Sequence, residues 1–189
     1  FCLGELAEKE EGGLTFQQAI DFYTQAVEKD KDPHALKRLG IIYQEGRKGV
    51  PQNEEQSLCY FREAYKSKDL DLSIDTDFLY RFGCLLEAHS TNINDLQQTF
   101  KCFKRIVEFQ DVQRQYGGGV VREDYPDLEL RLGRMCEEGR GTPQNDEQAV
   151  YYYKVAAGKG NAEARERLDI LHAQGRGLTG IAQRSCVVM

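Results

Sequence analysis

The residues best placed to carry a chemical modification are the last four of the chain. Cys186 is followed by two valines and the terminal Met189. A cysteine, two aliphatic residues and a final methionine form a C-a-a-X box, in which the thiol is prenylated and methionine favours a farnesyl group. The box predicts a farnesyl thioether at Cys186, made by a prenyltransferase, then removal of the last three residues and methylation of the new carboxylate. The alternative is an unmodified apolar tail.

A single lipid chain gives only marginal, reversible membrane binding. Residues 158–189 add five basic and three acidic side chains, which is a weak second attraction to a membrane surface. We therefore expect a peripheral protein at the cytoplasmic face of a membrane that needs a partner to remain there. The five basic residues are Lys159, Arg165, Arg167, Arg176 and Arg184.

Elsewhere the sequence has no recognisable catalytic or metal-binding motif. His34, His89 and His172 lie far apart, and no histidine or cysteine pair has the spacing of zinc ligands. The glycines at 117–119 precede two valines and not the lysine of a phosphate-binding loop, so they indicate a flexible loop. We expect no enzymatic activity, no metal and no cofactor.

Composition excludes further classes of function. A net charge of −6, with no run of lysine and arginine, argues against nucleic acid as a partner. No apolar run approaches the ~20 residues that cross a bilayer. The six cysteines form no C-x-x-C pair and are expected to be buried free thiols in a reducing compartment. The chain opens on Phe1 and not methionine, so we expect an upstream part to be missing.

The elements that must carry these features are repeated. LGIIYQEGRKGVPQNEEQSLCYFREA at 39–64 matches LGRMCEEGRGTPQNDEQAVYYYKVA at 132–156 in its Leu-Gly, Glu-Gly-Arg, Pro-Gln-Asn and Glu-Gln elements. Self-similarity at a fixed period is typical of stacked supersecondary units. Weaker copies lie around Gly4, Gly83 and Asp169. The equivalent position of each copy, called the repeat position, is therefore Gly4, Gly40, Gly83, Gly133 or Asp169.

Each unit is predicted to be a first helix, a glycine loop and a second helix. Glycines at 46, 139 and 175 are expected to end the first helices in left-handed conformation. Capping boxes are predicted to start the second helices, with an N-cap residue and a glutamine three residues later; they begin at Thr15, Asn53, Asn94 and Asn145. Gly40, Gly83 and Gly133 are expected to let the second helix approach, facing Ala19, Ser57, Thr99 and Ala149, with aromatic residues filling the space between units.

These motifs, and KVAAGKGNAEA at 154–164, resemble the Sel1-like repeat family. The resemblance implies an all-α fold, a right-handed α-solenoid of antiparallel helix hairpins, acting as a scaffold without catalysis. It divides the chain into repeats at 1–38 (truncated), 39–77, 78–108 (degenerate) and 128–164, a flexible insertion at 109–127, a half-repeat at 165–177 and a tail at 178–189. Fungal chitin synthase activators of this kind also end in a prenylation box.

A protein partner is expected on the concave side, which the first helices line in solenoids of helix hairpins. The candidates lie off the predicted core stripe of these helices. They are Lys37, Ile41, Gln44, Tyr80, Glu87, Leu130, Arg134 and Glu137.

Three functions are consistent with the sequence. The first is a farnesylated, membrane-associated adaptor that activates a membrane enzyme such as chitin synthase. The second is a soluble scaffold in signalling or protein quality control, with an accidental C-terminal box. The third is a regulatory repeat domain of a larger enzyme.

Overall fold

A computed structural model of the chain describes residues 2–67, 75–89, 92–116, 125 and 127–177. Within these residues every regular element is helical, which confirms the predicted all-α class. The prenylation box at Cys186 and the glycines at 117–119 lie outside the described residues. The helices are α1 (Cys2–Glu8), α2 (Phe16–Asp30), α3 (Pro33–Glu45), α4 (Glu54–Lys66), α5 (Thr76–His89), α6 (Ile93–Gln115), α7 (Leu128–Glu138), α8 (Asp146–Gly158) and α9 (Ala162–Ala173).

The helices form hairpins of sequential neighbours in two compact units, residues 1–85 and 86–189. In the first unit α1 packs on α2, α2 on α3, and α3 on α4. In the second unit α6 packs on α7, α7 on α8, and α8 on α9. Within each unit the core is therefore formed between helices that are neighbours in sequence. No helix in the described ranges is both long and apolar enough to span a bilayer.

Gly40 and Gly133 of the first helices are sites of close helix contact, as predicted, and the prediction for Gly83 stays a prediction. A Cβ at Gly133 would lie 2.5 Å from the ring of Tyr153, and one at Gly40 would overlap the ring of Phe61. The facing small residue also takes part, because Ser57 Oγ donates a hydrogen bond of 2.7 Å to the carbonyl of Gly40. The aromatic rings thus pack first inside their own hairpins. Phe61 also meets Phe78 of the next hairpin at 5.5 Å between ring centres.

Of the four predicted capping boxes, only the one at Thr15 is complete, with the Gln18 side chain accepting the N-cap amide. At Asn53 and Asn145 the N-cap side chain is confirmed, but the backbone amide donates to the carbonyls of Tyr43 and Cys136, respectively, and not to the glutamine. The side chains of Thr15, Asn53 and Asn145 each accept the amide of the third helical residue.

The cap predicted at Asn94 is wrong. The α6 helix is capped by Asn92 and not by Asn94. Asn92 Oδ1 accepts the Asp95 amide at 2.9 Å, so the helix starts about half a turn earlier than the repeat pattern suggested.

The predicted left-handed glycines are confirmed, with φ of 65° at Gly46, 69° at Gly139 and 66° at Gly175. Two predicted boundaries differ from the helices. The limit between residues 38 and 39 falls inside α3, so that hairpin starts at Pro33. The insertion predicted at 109–127 begins inside α6, which continues to Gln115. Cys102, Ile106 and Gln110 follow one another at four-residue spacing along α6 and are all buried.

Candidate protein-interaction surface

The candidates of the first unit lie on α3 and α5. Lys37 forms an ion pair with Asp75. Gln44 Oε1 accepts a hydrogen bond of 3.0 Å from Arg81 Nη1. Ile41 is buried, with 6% of its surface exposed, and Tyr80 is half-buried. Lys37, Gln44 and Tyr80 keep polar atoms near the surface, although the first two already contact the next hairpin.

The candidates of the second unit also divide into exposed and buried residues. Arg134 is the most exposed, at 44% of its side chain, and pairs with Glu163. Glu87 is half-buried and pairs with Arg131. Leu130 and Glu137 are buried, with 5% and 6% of their surface exposed.

The prediction that all eight candidates lie off the core is therefore wrong for Ile41, Leu130 and Glu137. A helix inside an array buries one face against its own hairpin and another against the preceding one. The apolar stripe read from the sequence of one helix identifies only the face that packs within its own hairpin. Whether Lys37, Gln44, Tyr80, Glu87 or Arg134 contacts a partner stays a prediction.

A recurring polar contact joins each first helix to the next. The acceptor lies four residues after the repeat position of one copy. The donor is an arginine two residues before the repeat position of the next copy. We call these contacts the inter-repeat pairs. They are Glu8–Arg38, Gln44–Arg81, Glu87–Arg131 and Glu137–Arg167.

Glu137 has the most complete of these arrangements. Its Oε1 accepts from Arg167 Nη2 at 2.5 Å, and its Oε2 accepts from Arg167 Nε at 3.2 Å. The Tyr153 hydroxyl donates to the same Oε2 at 2.7 Å. Arg176 adds a second positive charge at 3.8 Å. The carboxylate is thus held by a forked guanidinium and a phenol, the arrangement that makes a buried charge tolerable.

The ionisation of these groups follows from their contacts. Burial alone would raise the pKa of Glu137, but hydrogen bonds from Arg167 and Tyr153 and the charges of Arg167 and Arg176 outweigh it and hold that pKa below its ordinary value. Burial, and then the hydrogen bond to the carboxylate, raise the pKa of Tyr153 well above its ordinary value. Glu137 is therefore a fixed anion and not a proton donor near neutral pH.

A similar tyrosine–glutamate contact lies at the start of the chain, where Glu8 borders a cleft of about 330 Å³. Tyr23 donates to Glu8 at 2.9 Å, and Arg47 lies 3.4 Å from the same carboxylate. The Lys48 ammonium lies 5.4 Å from the ring centre of Phe16. Most of the charges that line the cleft have an opposite charge nearby, so it has no strong preference for an anion or a cation.

Sequence reasoning missed the inter-repeat pairs although their signal was present. Arginine recurs two residues before the repeat position, at 38, 81, 131 and 167, and an acid or amide recurs four residues after it. The recurrence is visible only when the copies are aligned on the glycine. Its meaning requires knowing that one hairpin stacks on the next.

The remaining reactive groups form no catalytic cluster within the described ranges. No group of three or more histidine, cysteine, aspartate or glutamate side chains there could hold a metal ion. Among the described cysteines, the prediction of burial is correct for Cys102 and Cys136 and wrong for Cys2 and Cys59, which are exposed, while Cys84 is half-buried. Burial raises the pKa of Cys102 to about 12 and that of Cys136 to about 11.

The fold and the inter-repeat pairs define a helical-repeat protein whose hairpins are joined through their first helices. The Sel1 repeat model matches residues 33–69 and 126–161, the two stretches that contain the hairpins α3–α4 and α7–α8.

Two solved structures have a fold similar to that of the chain. A Sel1 repeat protein from Oxalobacter formigenes is 21% identical with a TM-score of 0.59, over 97% of this chain and 67% of that one. A protective antigen of uropathogenic Escherichia coli with an SLR fold is 18% identical with a TM-score of 0.56, over 94% of this chain and 34% of that one. At these identities the two structures establish the fold alone.

A curated relative carries a functional name. The chitin synthase regulator SKT5 of Malassezia restricta is 26% identical over 168 residues, which is 88% of this chain. The chain spans only 10% of the length of that protein.

Proposed function

We propose that the chain is a non-catalytic protein-interaction scaffold that regulates a membrane enzyme of the chitin synthase type. In this proposal it is farnesylated at Cys186 and peripheral at the cytoplasmic face of a membrane. The observation that carries it is the similarity to a chitin synthase regulator along nearly the whole chain. The Sel1 hairpins support the scaffold role, because repeats of this kind offer extended surfaces to protein partners.

Arg134 is the candidate most available to a partner. Its ion pair with Glu163 is exposed on both sides, and exposed pairs contribute ~1 kcal/mol or less to stability. Arg134→Glu should therefore leave the fold intact while placing a negative charge on the first helix of a Sel1 repeat. If the partner places an acidic side chain near Arg134, the new carboxylate at this position would repel that side chain and weaken binding.

Arg114 provides a matched control on a second helix. It is 45% exposed and pairs with Asp111 at 3.2 Å, much as Arg134 is 44% exposed and pairs with an acid. We expect Arg134→Glu, and not Arg114→Glu, to reduce co-precipitation of a fungal chitin synthase at least about fivefold. Both variants should melt within about 2 °C of the parent. Equal binding by the two variants would remove the first-helix face from the proposal.

The lipid is tested separately with Cys186→Ser in a cell that prenylates proteins. The parent chain should divide between membrane pellet and cytosol, because one farnesyl group binds membranes only weakly. The variant should be found in the cytosol, and its mass should lack the farnesyl group. Identical distributions for both chains would instead favour a soluble scaffold with an unused box.

A further inference from the structure

Two leucines on α1 are exposed at positions that are buried in every later first helix. Leu3 precedes the repeat glycine and is 55% exposed, and Leu6 lies two residues after it and is 42% exposed. The residues at the same two positions in α3, α5, α7 and α9 are at most 8% exposed. They are Leu39, Phe82, Leu132 and Leu168 at the first position, and Ile42, Leu85, Met135 and Leu171 at the second.

The structure shows what covers these positions where they are buried. Leu39 and Ile42 belong to one apolar cluster with Phe16, Ile20 and Tyr23 of α2. The α2 helix is the second helix of the preceding hairpin, and its residues 16, 20 and 23 lie on one face. Burial at these positions is therefore provided by the preceding second helix.

The loop that follows α1 supplies an independent observation. Eight residues after the repeat position, Gly141 lies against the carbonyl of Leu96 in the first turn of α6, with φ of 72°. Gly177 lies in the same way against Asp146 in the first turn of α8, with φ of 69°. Gly12 is the equivalent residue of the first repeat. It has the same left-handed backbone, with φ of 68°, but apart from its chain neighbours no heavy atom of the described residues lies within 4 Å of its Cβ position.

We propose that Leu3, Leu6 and Gly12 form a docking surface for the second helix of a further Sel1 hairpin, joined to this chain in register. The incoming helix would present large apolar side chains at the positions of Phe16, Ile20 and Tyr23. Its first turn would lie on Gly12. On this surface Cys2 occupies the position of the inter-repeat arginines. Docking there rests on apolar contact and backbone fit and does not require an acid on the partner. The proposal is independent of the proposed function.

The test duplicates residues 2–37 in front of Cys2 of the full chain, which restores the 36-residue spacing between Gly4 and Gly40. The inner copy of α1 then follows a copy of α2 and should become covered. Hydrogen exchange measured by mass spectrometry should show amides of the inner α1 slowed at least about tenfold relative to α1 of the original chain.

The duplicated chain also contains its own control. Leu3→Lys with Leu6→Lys in the inner copy should abolish the protection and lower the Tm, because two charges would enter an apolar contact. The same pair in the outer copy, where both positions stay exposed, should change neither measurement. If inner and outer substitutions behave alike, or the inner α1 gains no protection, the proposal is wrong.

The original chain provides a further test by sedimentation. A monomer at all concentrations supports the proposal. A concentration-dependent dimer that Leu3→Lys with Leu6→Lys disrupts would overturn it, since the occupant would then be a second copy of this chain.

Discussion

Removing one hydroxyl from Tyr153 tests whether the inter-repeat pair at Glu137 stabilises the array. Tyr153→Phe deletes the 2.7 Å hydrogen bond to the carboxylate and leaves the ring on Gly133 in place. A hydrogen bond to a charged group contributes about 1.5–3 kcal/mol. Since Arg167 still holds both oxygens, the loss should fall near the lower end, about 1.5–2 kcal/mol in the free energy of unfolding. Urea denaturation should show a lower midpoint with an unchanged slope.

The neighbouring tyrosine is the control for this substitution. Tyr152 is also buried, with 8% of its surface exposed, but its hydroxyl forms no hydrogen bond within the described residues. Tyr152→Phe should cost less than about 0.5 kcal/mol. A double-mutant cycle that combines Tyr153→Phe with Glu137→Gln measures the interaction free energy of the two side chains. We expect it to be about 1 kcal/mol or more. Equal effects of the two tyrosine substitutions, or simple additivity in the cycle, would refute the assignment.

The same pair predicts a dependence of stability on pH. The folded pKa of Glu137 lies below the value of 4.5 expected in the unfolded chain. Its contribution is therefore complete above pH 4.5 and is lost as the pH falls from there through the folded pKa. The difference in unfolding free energy between the parent and Glu137→Gln should be largest near pH 7 and should shrink toward pH 3. A difference that is unchanged over this range would contradict the explanation.

Two further predictions concern glycines and thiols. Gly40→Ala should lower the free energy of unfolding in urea by about 1–3 kcal/mol, because the new Cβ meets an aromatic ring of α4. Gly158→Ala is the control, since its surroundings are open, and it should stabilise α8 by up to about 1 kcal/mol. Equal effects of the two substitutions would contradict the close contact at Gly40. Iodoacetamide at pH 8, followed by peptide mass spectrometry, should label Cys59 at least about tenfold faster than Cys102 and Cys136, whose burial raises their pKa; uniform labelling would show that the core opens readily.

The sequence predicted the hairpins because their signals are local. A glycine that ends a helix and an asparagine that caps the next one act within a few residues, so Gly46 and Asn53 could be placed from the repeat alone. The error at Asn94 has a local cause as well. Asn92 and Asn94 are both good N-cap residues, and only the observed hydrogen bond to Asp95 distinguishes them.

The surface could not be predicted in the same way because it depends on stacking. Ile41 and Leu130 are apolar residues outside the main stripe, and their burial reflects neighbours that sequence periodicity does not reveal. Glu137 is a charged residue and would ordinarily be assigned to solvent. Its burial depends on Arg167, which lies 30 residues away.

The inter-repeat pairs also determine where the chain can be lengthened. Partners are separated by 30 residues at Glu137–Arg167, by 37 at Gln44–Arg81 and by 44 at Glu87–Arg131, and yet the contact persists. Both partners lie on first helices, so extra length between them leaves the contact in place. Before Arg131 part of that length is the long second helix α6. A reporter peptide is therefore best inserted where a second helix passes to the next hairpin. A peptide inserted between residues 131 and 137 would interrupt α7. Arg131 and Glu137 could then no longer both reach their partners on the neighbouring first helices.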